Sequence, residues 1–142
     1  MDKQQLQIGE GHERRAKHRG LLTATEVLER YKDLPAFCAE RLTDVNQVGL
    51  FGEHPLGVAA SRGDLAEIYA LLDGGADVNG IGEHGNSPLH EATGQGHIDA
   101  VMLLLEFGAN TDIRNEFGQT ALDIASPEKQ EDIAGILRKQ KR

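Results

Sequence analysis

A chain of 142 residues suggests one domain with a core large enough to fold unaided, and 39% hydrophobic with 27% charged residues excludes wholesale disorder. The net charge of −8 is uneven: residues 1–20 carry +2, residues 138–142 carry +4, and the 117 residues between them carry −14, an acidic body that repels nucleic acid and attracts basic partners. No apolar run approaches the roughly 18 residues of a membrane span, and a single cysteine, Cys38, excludes an internal disulfide and fits a reducing compartment.

Residues 1–20 have few apolar side chains, no sustained period and no apolar stretch of the kind a secretion signal needs. A disordered basic tail and a cytoplasmic location are the expectations. The run from His12 to Arg19 could meet phosphates, but it lacks aromatic residues and adjoins an acidic body. A solvated tail is therefore expected there, with neither nucleic acid nor membrane as partner.

Residues 21–51 read as an N-terminal cap. Thr23 and Glu26 have capping-box spacing for a helix reaching Tyr31. Asp33 and Pro35 suit the start of a second helix carrying Phe37, Cys38 and Leu42, with Cys38 as a buried, inert thiol.

From residue 44 onward the chain repeats itself. Gly52, Gly85 and Gly118 fall 33 residues apart, and each opens a matching segment: Gly-Glu-His-Pro-Leu, Gly-Asn-Ser-Pro-Leu and Gly-Gln-Thr-Ala-Leu. Leu56, Ala59 and Ala60 align with Leu89, Ala92 and Thr93, then with Leu122, Ala125 and Ser126. Leu71 to Asp77 matches Leu104 to Asn110, and Asp44-Val45-Asn46 matches Asp77-Val78-Asn79. Ser87 is a good N-cap, and Pro88 a good first helical residue because its missing N–H is not needed there. Leu89, Ala92 and Thr93 then form a narrow apolar stripe. Ile98, Val101, Leu104 and Leu105 supply a second helical stripe, which Gly108 ends. Glycines 80, 82 and 85 bend the connection to the next repeat. No such helix pair buries its apolar face alone, so the pairs must stack.

These residues closely resemble the ankyrin repeat. Ser87-Pro88-Leu89-His90 stands near the family's Thr-Pro-Leu-His, followed by Gly96-His97-Ile98 and the apolar run Val101 to Leu105. The resemblance covers about residues 44–137. It implies an all-α solenoid of stacked helix-turn-helix units with projecting β-hairpin-like fingers, in repeats at 52–84 and 85–117 and a C-terminal cap repeat at 118–142. In that cap Ser126-Pro127 would start the last helix, with Ile133, Ile136 and Leu137 inward and Glu131, Asp132, Arg138 and Lys139 toward water. Two departures are informative: the cap carries Ala121, Asp123 and Lys129 in place of proline, histidine and glycine, and Gly57 replaces the motif's histidine in the first repeat.

The resemblance also assigns structural roles to His90 and His97, which tie neighbouring loops. His12, His18, His54 and His84 show no tight metal spacing. The glycine-rich segment 80–85 lacks the strand–helix context of a nucleotide site. No catalytic residue, metal, cofactor or small-molecule substrate is expected. The resemblance places binding on the fingers and adjoining first helices: Gln47, Leu50, Phe51 and Glu53; Ile81, Glu83, His84 and Asn86; Arg114, Glu116 and Phe117; and Arg62, Glu91, Gln95 and Glu128 on the helical side. Leu50, Phe51, Ile81 and Phe117 are apolar where the family exposes its fingers, and they suit either interface anchors or packing between fingers. The functional expectation is a monomeric protein-binding module for a basic partner. The alternative is an inhibitor or immunity-type protein that occludes the site of a toxin or enzyme.

Overall fold

The computed structural model describes residues 22–125 and 131–140. The expectations for residues 1–20 and for Ser126, Pro127, Glu128 and Lys129 lie outside the described residues. Within them the chain forms seven α-helices and no strand: α1 (Ala24–Tyr31), α2 (Pro55–Arg62), α3 (Leu65–Asp73), α4 (Pro88–Gly94), α5 (Ile98–Glu106), α6 (Ala121–Ile124) and α7 (Glu131–Gln140).

Helix α1 starts as expected. Thr23 Oγ1 accepts from Glu26 N at 3.2 Å, while Glu26 Oε2 accepts from Thr23 N at 2.7 Å. That backbone bond, with the hydroxyl contact, holds the Glu26 carboxyl below its usual range. The expected second cap helix does not form, and residues 32–40 run as consecutive turns. Pro35 has no N–H to give, and the Ala36 carbonyl accepts from Leu50 N at 2.6 Å instead of from a residue one helical turn on. Phe37 and Leu42 are still buried, but Cys38 is exposed and its thiol reaches Pro35 O at 3.4 Å. The buried-thiol expectation therefore fails because it assumed a helical face that the turns do not provide. Gly49 lets the first finger lie against these turns, since a Cβ there would sit 2.4 Å from Ala36 O.

The remaining helices make two rows. First helices α2, α4 and α6 stack on one another, and α1, α3, α5 and α7 form the second row behind them. Leu56, Ala59 and Ala60 of α2 and Leu89, Ala92 and Thr93 of α4 are all buried, as the sequence register requires. The alanines let the first row approach closely, and each fully buried leucine contributes about 2 kcal/mol. Behind them Ile68, Leu71, Val101 and Leu104 are fully buried in the second row. At the C-terminal end α7 buries Ile133 and Leu137 and leaves Glu131, Asp132, Arg138 and Lys139 exposed, the polar outer face that a stack needs.

Each finger is a turn bridged across its base by a backbone bond at the same register in every repeat, Gly49 N to Glu53 O (2.7 Å), Gly82 N to Asn86 O (2.9 Å) and Asn115 N to Gln119 O (2.9 Å), with a tighter bond inside it from Gly52, Gly85 or Gly118 N. One such bridge makes a hairpin but not a strand. Gly52, Gly85 and Gly118 take φ of 92°, 74° and 76°, the left-handed region that explains why glycine recurs every 33 residues. An asparagine ladder ties repeat to repeat: Asn46 Oδ1 accepts from Asp77 N and Asn79 Oδ1 from Asn110 N, both at 2.8 Å.

One carboxylate lies in the core among the described residues. Glu67 on α3 is 1% exposed. Its carboxylate accepts from the Tyr31 hydroxyl at 2.5 Å and from Arg30 Nη1 at 3.2 Å, with Arg62 Nε at 3.8 Å. Arg62 also lies over the Tyr31 ring, 5.4 Å from its centroid. Burial, and then the bond to Glu67, push the Tyr31 phenol well above its ordinary value. This cluster fastens α1 to the first full repeat.

Candidate functional site

Between the fingers and the first-helix row lie two consecutive hollows. The first, of about 220 Å³, is bounded by Glu53, His54, Gly57 and Arg62 on one side and Glu83, Asn86 and Glu91 on the other. The second, of about 370 Å³, is bounded by His84, Gln95, Phe117 and Asp123, with Asn86 and Glu91 on the wall shared with the first. Eight of the fourteen expected residues that are described thus line one groove: Glu53, Arg62, Glu83, His84, Asn86, Glu91, Gln95 and Phe117.

The others fall outside those hollows. Gln47 spends its amide on its own loop, accepting from Thr43 N at 2.9 Å and donating to Arg41 O at 2.9 Å. Leu50 lines a smaller recess beside Phe37 and Val48. Arg114 is pinned to the Gly118 carbonyl at 2.7 Å and to Asp123 at 3.7 Å. Glu116 bonds through its backbone N–H to His84 O at 3.0 Å, joining the second finger to the third.

The apolar finger residues stay in the open. Phe117 is 70% exposed, Phe51 60% and Ile81 47%. Leu50 is exposed too, and so is Val48 on the same finger. Packing between fingers accounts only for the tilted contact of Phe117 with the His84 ring, centroids 6.0 Å apart. Such side chains along successive fingertips make an apolar strip beside an acidic groove.

The groove's charge is lopsided. Glu53, Glu83 and Glu91 line the first hollow against one arginine, Arg62, which is already engaged with Tyr31 and Glu67. Asn86 positions the shared wall: its Nδ2 donates to Glu91 Oε1 at 2.9 Å, and its Oδ1 accepts from Asn115 Nδ2 at 3.0 Å. Asn115 is a buried hub that the sequence reading missed: it accepts from Phe117 N and Gln119 N within its own finger and reaches Asn86, 29 residues away, while the equivalent positions 49 and 82 hold glycine.

The histidines settle into structural work. His90 accepts from Ser87 N at Nδ1 (3.0 Å), so its Nε2–H donates to Gln119 O (2.8 Å), capping α4 and holding the next finger. His97 Nε2 meets Ser61 O at 3.0 Å. Among the described residues no group of three or more His, Cys, Asp or Glu side chains is arranged to hold a metal ion.

A family model for ankyrin repeats matches residues 26–115 and 56–142, with three copies. The chain belongs to the ankyrin-repeat family. Ankyrin repeats are in general protein–protein interaction modules, and the family is typically non-enzymatic. No curated protein matches the chain. Among its described residues, no helix of this ankyrin-repeat protein is long and apolar enough to cross a membrane.

Proposed function

We propose that this ankyrin-repeat protein binds a protein partner with a basic surface, using its fingertips and the groove behind them. The observation that carries the reading is the coincidence of two features. Phe51, Ile81 and Phe117 stand exposed on three successive fingers, and the hollows behind them are lined by carboxylates. Exposed apolar anchors rimmed by charge are how interface hot spots are built. An acidic groove adds steering and register for a cationic partner. The protein works as a monomeric, non-catalytic stack in the cytoplasm, where its lone exposed thiol stays reduced.

The test is affinity capture from native lysate with wild type and with the Phe51→Ala, Ile81→Ala, Phe117→Ala triple variant, repeated at low and high salt. One stoichiometric partner, lost by the variant and weakened by salt, supports the reading. A partner held equally by both proteins moves the site off the fingertips. A partner indifferent to salt removes the basic-surface assignment.

A further inference from the structure

The first and second repeats differ at one position that decides the shape of the groove. In the second, the His90 ring donates to the Gln119 carbonyl and forms part of the wall of the second hollow. Thirty-three residues earlier stands Gly57, and a Cβ built there meets nothing within 4 Å. No neighbouring helix comes close enough to require glycine, so the residue leaves open space rather than accommodating a contact. That space is the 220 Å³ hollow.

The hollow's walls carry three carboxylates, Glu53, Glu83 and Glu91, against one cation, Arg62. The Asn86 carbonyl, counterpart of the Gln119 carbonyl, receives Gly82 N but has no imidazole to receive. His54 substitutes in part: its Nε2 lies 2.9 Å from Ile81 O, one residue earlier on the finger than Gly82. With Nε2–H donating there, Nδ1 of the same ring is a bare acceptor, buried and without a partner among the described residues. Glu53 gives one oxygen to Phe51 N and Glu91 one to Asn86 Nδ2, which leaves each carboxylate a second acceptor. The remaining acid, Glu83, is half exposed and sits 3.5 Å from His84.

We propose that the hollow at Gly57 is a socket for a single arginine side chain. Its volume is below the range of about 300–1,000 Å³ that buries drug-sized ligands, which favours one side chain over a free metabolite. Acceptors approach from three elements at once, the first finger's base, the second finger and α4. A planar guanidinium with five donors matches such a spread better than a compact ammonium with three. Arg62 does not fill the role itself, because its guanidinium is held against Tyr31 and Glu67. The identification of the arginine as a partner's rests on the basic-partner reading above; the socket itself does not.

The experiment is an amide NMR titration with N-acetyl-arginine methylamide, run beside its lysine and citrulline analogues. The arginine probe is expected to shift Gly57, Gly82 and Asn86 with a Kd of roughly millimolar. Gly57→His, which refills the hollow, and Glu91→Gln, which removes one acceptor charge, should each weaken it about tenfold. The spectrum of each variant reports directly that it remains folded. Equal binding of citrulline or lysine, shifts confined to other residues, or undiminished binding by Gly57→His would each overturn the assignment. Because no partner is needed, failure here leaves the fingertip reading standing, and failure of the triple-variant capture leaves the socket standing.

Discussion

Repeats 52–84 and 85–117 share a register, yet they hold their neighbours by different means. In the second, one histidine inside the helix both caps α4 and grips the next finger. In the first, the grip has moved to the N-cap: His54 reaches Ile81 O, and α2 is left with no side-chain cap bond. Facing their preceding neighbours they differ again, with buried Glu67 in the first repeat where the second has buried Ala100. A solenoid can thus keep its stacking geometry while individual ties migrate, provided the backbone carbonyls between repeats still find donors. Both repeats border a hollow, but only the departing one leaves its hollow without the motif's imidazole, at Gly57, where the second hollow is walled by His90.

The comparison can be broken most forcefully at Glu67. Replacing it with alanine orphans the buried Tyr31 hydroxyl and should cost about 3 kcal/mol in urea unfolding. The equivalent substitution cannot be made at Ala100, so this loss marks the first repeat alone. If Glu67→Ala is nearly neutral, α1 is held by its apolar face and the polar cluster is incidental.

His90→Ala removes the ring's bonds to Ser87 and to the Gln119 carbonyl at once and should cost about 2 kcal/mol. A smaller loss would show that the tie is as dispensable in the second repeat as in the first.

Tyr31 adds a pH signature. Its phenol is raised in the folded state, so the stability it contributes is complete below the ordinary tyrosine value near 10 and is lost as pH climbs past that value. Its slope is at most about 1.4 kcal/mol per pH unit. Unfolding curves for wild type and Tyr31→Phe between neutral and alkaline pH should converge as this contribution disappears. Parallel curves would place the alkaline sensitivity elsewhere.

The smallest effect sharpens the contrast. Gly57→Ala should stabilise by up to about 1 kcal/mol, since α2 regains helix propensity and the new methyl meets open space. Destabilisation would mean that the chain already uses that space.

Much of this was legible in the residues because the signals are local. The Thr23–Glu26 capping box and the Ser87 N-cap each act within one helical turn. The left-handed glycines recur with the period of the chain, and the apolar stripes of α2 to α5 follow helical spacing. The placement of Phe51, Ile81 and Phe117 on successive fingers followed from the same register. Where the reading failed, a distant segment had claimed a local group. The Ala36 carbonyl went to Leu50, so residues 32–40 became turns and Cys38 faced outward.

The amino-acid sequence by itself determined the period, the helices of the repeats and the faces they bury, because each depends on neighbours within a few residues or on exact repetition. Only the tertiary structure decided which side chains meet across repeats: Tyr31 and Arg30 on Glu67, His54 on Ile81, Asn86 on Asn115, and nothing at all on Gly57. Those pairings span 27 to 37 residues and depend on how one helix pair seats on the next, a geometry that no local pattern encodes.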